Sequence, residues 1–232
     1  MKTIGIIGAM EVEVAILKEK MEDVRIIKKA SMDFYEGILA GKKVVVVRSG
    51  IGKVNAGICA QILADVFSVD AIINTGIAGS LNKNINIGDI VLSTDVVQHD
   101  MDATTFGDPV GQIPRLDTFS FPADAKLVEA ARLANEEVNT DIHTFTGRVV
   151  SGDQFIAGNE KKDYLVRTFD GKCAEMEGAA IAQTAYLNKV PYVIIRAISD
   201  KADNSAVMDY PTFEKHATQH SLKLLKNMLK RL

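Results

Sequence analysis

Little in this sequence points to a membrane, a polyanion or a metal. Cysteine occurs only as Cys59 and Cys173 in 232 residues. The two lie far apart without ligand spacing, so they read as small buried apolar residues. No apolar run approaches the ~20 residues a bilayer-crossing helix needs, and no membrane partner is expected. Met1-Lys2 leads straight into Thr3–Ile7, which is too short for a secretory signal and lacks a cleavage site, so a cytoplasmic protein is expected. Basic blocks are missing as well: 27 Lys and Arg stand against 30 Asp and Glu, a net charge of -3. Nucleic-acid binding needs a basic surface that releases counterions, and that class is excluded. The one basic stretch, Lys223 to Arg231, has helical spacing and reads as the solvated face of a last helix. Linkers, low-complexity segments and internal repeats are absent.

What is present is a soluble-globular composition, 47% hydrophobic and 25% charged, on a length that suits one large domain, 1–232. Continuous Val/Ile runs predict strands at Thr3–Ile7, Lys43–Val47, Asp70–Asn74, Asp89–Val97, His143–Ser151 and Pro191–Ile198. Because the runs do not alternate with polar residues, these strands are covered on both faces. Amphipathic patterns predict helices at Glu11–Met21, Lys53–Phe67, Asp124–Val138, Glu160–Phe169, Glu177–Leu187 and Thr212–Leu229. That alternation implies an α/β fold, a largely parallel sheet between two helical layers. The stretch His99–Pro122 breaks the pattern, with Gly107, Gly111, Pro109, Pro114, Phe106, Phe119 and Phe121. An irregular segment this long is a lid, a subunit contact or a locally packed loop.

Three glycine-bearing segments read as turns leading from a strand toward a helix: Gly8 to Glu13, Gly50 to Lys53, and Gly76 to Gly79. Ligands of open α/β sheets collect at such turns, yet none matches a nucleotide fingerprint, and a plain tight turn explains each one alone. Carboxylates near strand ends say more: Glu11 and Glu13, Glu175 and Glu177, and Asp200 after Arg196. Singly, each is explained by a helix dipole or a turn cap; together they can converge on one pocket. His99-Asp100-Met101-Asp102 has ligand chemistry but no second cluster beside it, so no metal is expected. His143 reads as a strand residue, and His216 and His220 as a solvated pair on one helix face.

The segments Ile6-Ile7-Gly8-Ala9-Met10-Glu11-x-Glu13, Ser49 to Ala56, Ile73-Asn74-Thr75-Gly76-x-Ala78-Gly79, Val150-Ser151-Gly152-Asp153-x-Phe155-Ile156, Glu175-Met176-Glu177 and Arg196 to Asp200 occur in that order. Together they resemble the bacterial 5'-methylthioadenosine/S-adenosylhomocysteine nucleosidases of the purine nucleoside phosphorylase superfamily. The resemblance implies a three-layer α/β/α sandwich around a twisted mixed β-sheet, a homodimer, a small nucleoside substrate and no cofactor. It implies that Glu13 activates water and that Asp200, beside Ser199, protonates adenine N7. Phe155 would stack on the purine and Ile156 would address its edge through the backbone. Met176 and Glu177 would hold the ribose hydroxyls, with Glu175, Ala78 and Gly79 also at the substrate, and Arg196 would place the water. Met10 and Ile51 would line the 5'-thio pocket, with Phe106 and Pro114 reaching in from a partner subunit. Two positions depart from the pattern: Ile77 stands where many relatives carry Ser, and Gly178 where Ala is common.

The chemistry agrees with these roles. Breaking an N-glycosidic bond builds positive charge on the sugar and negative charge on the leaving base, and an acid and a carboxylate answer the two. Phosphorolysis would need a phosphate site, usually built with arginines. The first turn, Gly8 to Val14, has two glutamates and no basic residue, which leaves Arg48 and Lys53 as the phosphate candidates. Hydrolysis of methylthioadenosine and S-adenosylhomocysteine, and of 5'-deoxyadenosine, is therefore expected. The alternatives are a phosphorolytic nucleoside phosphorylase, an aminodeoxyfutalosine nucleosidase, or a nucleoside-binding protein without turnover.

Overall fold

The β-branched runs pair side by side. In the computed structural model, which describes the backbone of residues 1–232 and all side chains but those of 207–218, β1 (Thr3–Gly8) lies parallel to β4 (Lys42–Arg48) and β5 (Ala71–Ser80). β5 also runs parallel to β10 (Tyr192–Asp200), which pairs antiparallel with β6 (Ile90–Gln98). β6 lies parallel to β8 (Thr144–Ser151), and β8 to β9 (Cys173–Glu175). β9 then returns to the end of β5, Gly79 opposite Ala174 and Ser80 opposite Cys173, so these strands close into a ring. The sheet is mixed, and β5 is its common member.

Alternation along the strands sorts side chains into two helical layers. Ile4, Ile6, Val44, Val46, Ile73 and Ile195 point one way, into a core shared with Val14 and Leu17 of α1 (Glu11–Glu19), Leu127, Ala131 and Ala134 of α3 (Ala125–Val138), and Leu224, Leu225, Met228 and Leu229 of α6 (Ala206–Arg231). Ile7, Val45, Val47, Ile72 and Ile194 point the other way, against α2 (Lys53–Asp65) and α5 (Gly178–Asn188). α4 (Asn159–Phe169) packs Leu165 and Phe169 on a third cluster with Leu81, Val97 and Val150. Burying each such aliphatic side chain contributes ~1.5–3 kcal/mol before entropy is charged against it. Cys59 and Cys173 are free and buried, as expected, and burial pushes both thiols up. The basic end of α6 keeps Lys223, Lys230 and Arg231 outward while its leucines face the core.

Several expectations need correcting. An antiparallel hairpin, β2 (Glu22–Lys29) with β3 (Met32–Leu39), extends the sheet beyond β4 where no strand was expected. β2 is an edge strand, exposed along nearly its whole length, so it shows no apolar periodicity. Gly76 to Gly79 is not a turn: it lies inside β5, held straight by β10 on one side and by β9 at its end. His143 precedes β8 and its side chain is exposed. α6 begins at Ala206 rather than Thr212. His216 falls outside the described side chains, and His220 is largely buried, its Nε2 3.6 Å from Asp141 Oδ2, rather than solvated. The segment His99–Pro122 is irregular apart from a 3-10 turn at Thr104–Phe106 and the short β7 (Phe121–Pro122) on β6.

Candidate active site

A cavity of about 210 Å³ opens where the carboxyl ends of β1, β4, β8, β9 and β10 meet the second half of β5. The β1–α1 turn contributes Ala9, Met10 and Glu13, the β4–α2 turn Ile51, and β5 Ile77, Ala78 and Gly79. Gln154, Phe155 and Ile156 come from the loop after β8, Glu175, Met176 and Glu177 from the β9–α5 turn, and Ser199 and Asp200 from the end of β10. Of the residues expected at the substrate from within one chain, Arg196 alone is outside this lining, and it stands directly behind Glu175.

Glu13 is in the first turn of α1 and bends back over it. Its Oε2 accepts the N–H groups of Ala9 (2.6 Å) and Met10 (2.9 Å), as a carboxylate does in a capping box. Oε1 accepts the Ile77 N–H at 3.2 Å across the sheet. The departure at position 77 thus leaves a backbone donor that any side chain would supply. Burial raises the Glu13 pKa, opposed by Arg196 and by the Met10, Ala9 and Ile77 donors.

Arg196, in mid-β10, is fully buried, its Nη2 donating to Asn74 Oδ1 (2.6 Å) and to Glu175. Glu177 Oε2 lies 3.9 Å from the same nitrogen. Burial works against the guanidinium charge, but Glu175, Glu177 and Glu13 more than offset it and hold its pKa above the ordinary value. Glu175 accepts from the Ser151 hydroxyl and from the N–H groups of Glu177 (3.1 Å) and Gly178 (2.8 Å), so it fastens the start of α5. Glu177 accepts the Gly52 N–H (2.9 Å), and burial together with the charge of Glu175 pushes its pKa up to about 7. The negative charge gathered round this one guanidinium opposes ionisation of Glu177.

Asp200 stands at the other end of the cavity. Ser199 Oγ donates to its Oδ2 (2.9 Å), and the Ala202 N–H to its Oδ1 (2.7 Å). The two glycines of β5 make room for both carboxylates. A Cβ at Gly76 would stand 2.8 Å from Glu13 Oε1, and one at Gly79 2.7 Å from Asp200 Oδ1. Gly76 and Gly79 are themselves about 10 Å apart along β5.

Phe155 is half exposed at the rim and Ile156 buried beside it. Their loop is tied down by a network that sequence reasoning missed. Lys53 Nζ donates to Asp100 Oδ1 (2.6 Å), the Asp153 N–H to Asp100 Oδ2 (2.9 Å), and the Lys53 N–H to Asp153 Oδ1 (2.8 Å). Burial raises the Asp100 pKa, but Lys53 and the Asp153 amide outweigh it and hold it low. His99 and Asp100, considered above as metal ligands, therefore serve packing and this network. Lys53 is consumed as a phosphate candidate, and Arg48 lies outside the cavity, near Glu11. Asn74 and Ser151 had been singled out only as parts of segments; no local signal gives their roles, because their partners lie far along the chain. Phe106 and Pro114 are exposed and stay clear of this chain's cavity, whereas Phe121 is core and Phe119 lies under Arg148.

A sheet of this connectivity, with two opposed carboxylates over one strand, defines a class: the chain belongs to the Phosphorylase superfamily, whose family model matches residues 3–230. Within it, the chain is 44% identical over 230 residues to a 5'-methylthioadenosine/S-adenosylhomocysteine nucleosidase of Staphylococcus carnosus, covering 99% of this chain and 100% of that one. The Neisseria meningitidis nucleosidase of the same name, solved with methylthio-immucillin-A, superposes with a TM-score of 0.96 at 41% identity, all of both chains being covered. A Helicobacter pylori futalosine hydrolase superposes with a TM-score of 0.94 at 34% identity, over 100% of this chain and 98% of that one.

Proposed function

We propose that this chain hydrolyses the N-glycosidic bond of 5'-methylthioadenosine and S-adenosylhomocysteine, releasing adenine and the 5-substituted ribose. The observation that carries the reading is the placement of Glu13 and Asp200 on one cavity, each held by hydrogen bonds against a glycine of β5. Glu13, with Arg196 behind it, orients a water on the ribose side and takes its proton as the water attacks C1'. A protonated Asp200, steadied by Ser199, gives its proton to adenine N7, so the base leaves neutral. Glu177 and Met176 face the ribose hydroxyls; Phe155 covers the purine, and Ile156 meets its edge.

A homodimer is part of the proposal. Ile51 before α2, Val54 and Ile58 on α2 and Leu187 on α5 are exposed large apolar residues, and Phe106 is 88% exposed. An apolar face of this kind suits a second copy, whose Phe106 and Pro114 would complete the 5' side of the site. The absence of a basic residue in the first turn, and the engagement of Lys53 by Asp100, support water over phosphate as the acceptor. The test is adenine release from methylthioadenosine, S-adenosylhomocysteine and aminodeoxyfutalosine, with and without phosphate. Phosphate-independent release from the first two, with a free reducing sugar, is expected. Phosphate dependence, or turnover of aminodeoxyfutalosine alone, overturns the reading.

A further inference from the structure

Beyond the rim formed by Met10 and Ile51 lies a second cavity of about 360 Å³, which shares Ala9, Met10 and Ile51 with the first and continues to Glu11, Ser31, Met32 and Arg48. Seated between Glu13 and Asp200 as proposed above, with its 5' side toward Met10 and Ile51, a nucleoside would extend its 5' substituent into this space, because both residues line both cavities. A methylthio group ends at the rim and leaves the second cavity empty. The two substrates in the relatives' names differ only there, since S-adenosylhomocysteine carries an α-amino acid on the sulfur in place of the methyl.

The charges at the cavity suit such a chain. Glu11 accepts Lys18 Nζ on both oxygens at 2.9 Å, so its charge is answered from within α1. Arg48 meets Glu11 only at 3.9 Å through Nε. One carboxylate with two cations leaves one positive charge over, and it is the guanidinium lining the cavity. A planar fork of donors with a spare charge takes a carboxylate in two-point contact.

We propose that this second cavity is the subsite for a zwitterionic 5' chain, with Arg48 binding its carboxylate, so that Arg48 sets the preference between amino-acid-bearing and methyl thioethers. The inference rests on the nucleosidase reading above. Its test is Arg48→Met, measured on S-adenosylhomocysteine, on methylthioadenosine and on the adenosine thioether that keeps the aminopropyl chain but lacks the carboxylate. Arg48→Met is expected to lower kcat/KM for S-adenosylhomocysteine about five- to tenfold, the range for an ion pair partly open to water, while methylthioadenosine and the aminopropyl thioether stay within about twofold of wild type. Arg48→Lys is expected to restore part of the loss. Equal losses on the carboxylate-bearing and carboxylate-free thioethers, or none on either, overturn the assignment. Should wild-type protein release adenine from none of the three, the nucleosidase reading itself fails, and the two failures are thereby told apart.

Discussion

Glu13 and Glu177 stand where burial disfavours their ionised forms, and their chemistry follows from that. A base must be deprotonated to act, so the raised Glu13 pKa predicts an acid limb in the kcat/KM profile above that of an ordinary glutamate. Glu13→Gln and Asp200→Asn should each lower turnover by ~10²–10⁴-fold or more while the melting transition stays cooperative; wild-type rates in either would remove that role. Glu177 gives a prediction about stability. A carboxyl raised from 4.5 to about 7 favours the fold fully below 4.5, and that contribution is lost as pH rises through about 7. Glu177→Gln keeps an acceptor for the Gly52 N–H and should be more stable than wild type by about 1–3 kcal/mol at pH 8. By about pH 4, below the ordinary glutamate value, the two urea midpoints should converge; a less stable variant at pH 8 contradicts the charge accounting. At this scale the sequence displayed the carboxylates that line the cavity, because they sit in recognisable segments. It concealed what holds them: Asn74 reaches Arg196 across 122 residues, and only the register of β5 and β10 brings them together.

Among elements, the loop after β8 depends on a bond it does not itself contain. Asp100, just past β6, ties Lys53 at the start of α2 to the amide of Asp153, and this fixes where Phe155 stands. Asp100→Asn removes the charge from that junction and, on the proposed function, should raise KM for methylthioadenosine severalfold with a smaller change in kcat, because the loop bearing Phe155 is loosened while Glu13 and Asp200 stay in place. Loss of kcat alone would place Asp100 elsewhere. The N-cap of α3 is simpler: Asp124 accepts the Lys126 and Leu127 amides, and Asp124→Ala should cost about 1 kcal/mol in chemical denaturation. Elements packed on both faces were legible, since burial on two sides writes a continuous apolar run. The β2–β3 hairpin was not, because β2 is nearly all exposed and its pairing depends on β3 and β4. Gly76 to Gly79 misled for another reason. Glycine usually marks a bend, and here it marks two side chains pressing on a straight strand.

For the molecule as a whole, helices on both faces of a mixed sheet follow from the strand–helix alternation, whereas closure of β5, β10, β6, β8 and β9 into a ring does not. That closure turns on pairings at Gly79 and Ser80 with β9, and composition carries no trace of them. Assembly also belongs to this scale. Ile58→Lys on the exposed face of α2 should shift the chain toward monomer in light scattering and reduce adenine release with it. Full activity in a monomer would show that one copy suffices. The ring has a last consequence for inheritance. Because β5 is locked on both sides, it cannot slide to absorb an extra carbon at positions 76 and 79. In a saturation library selected for adenine release, every codon other than glycine should vanish at both, while Ile77, one step along, accepts many.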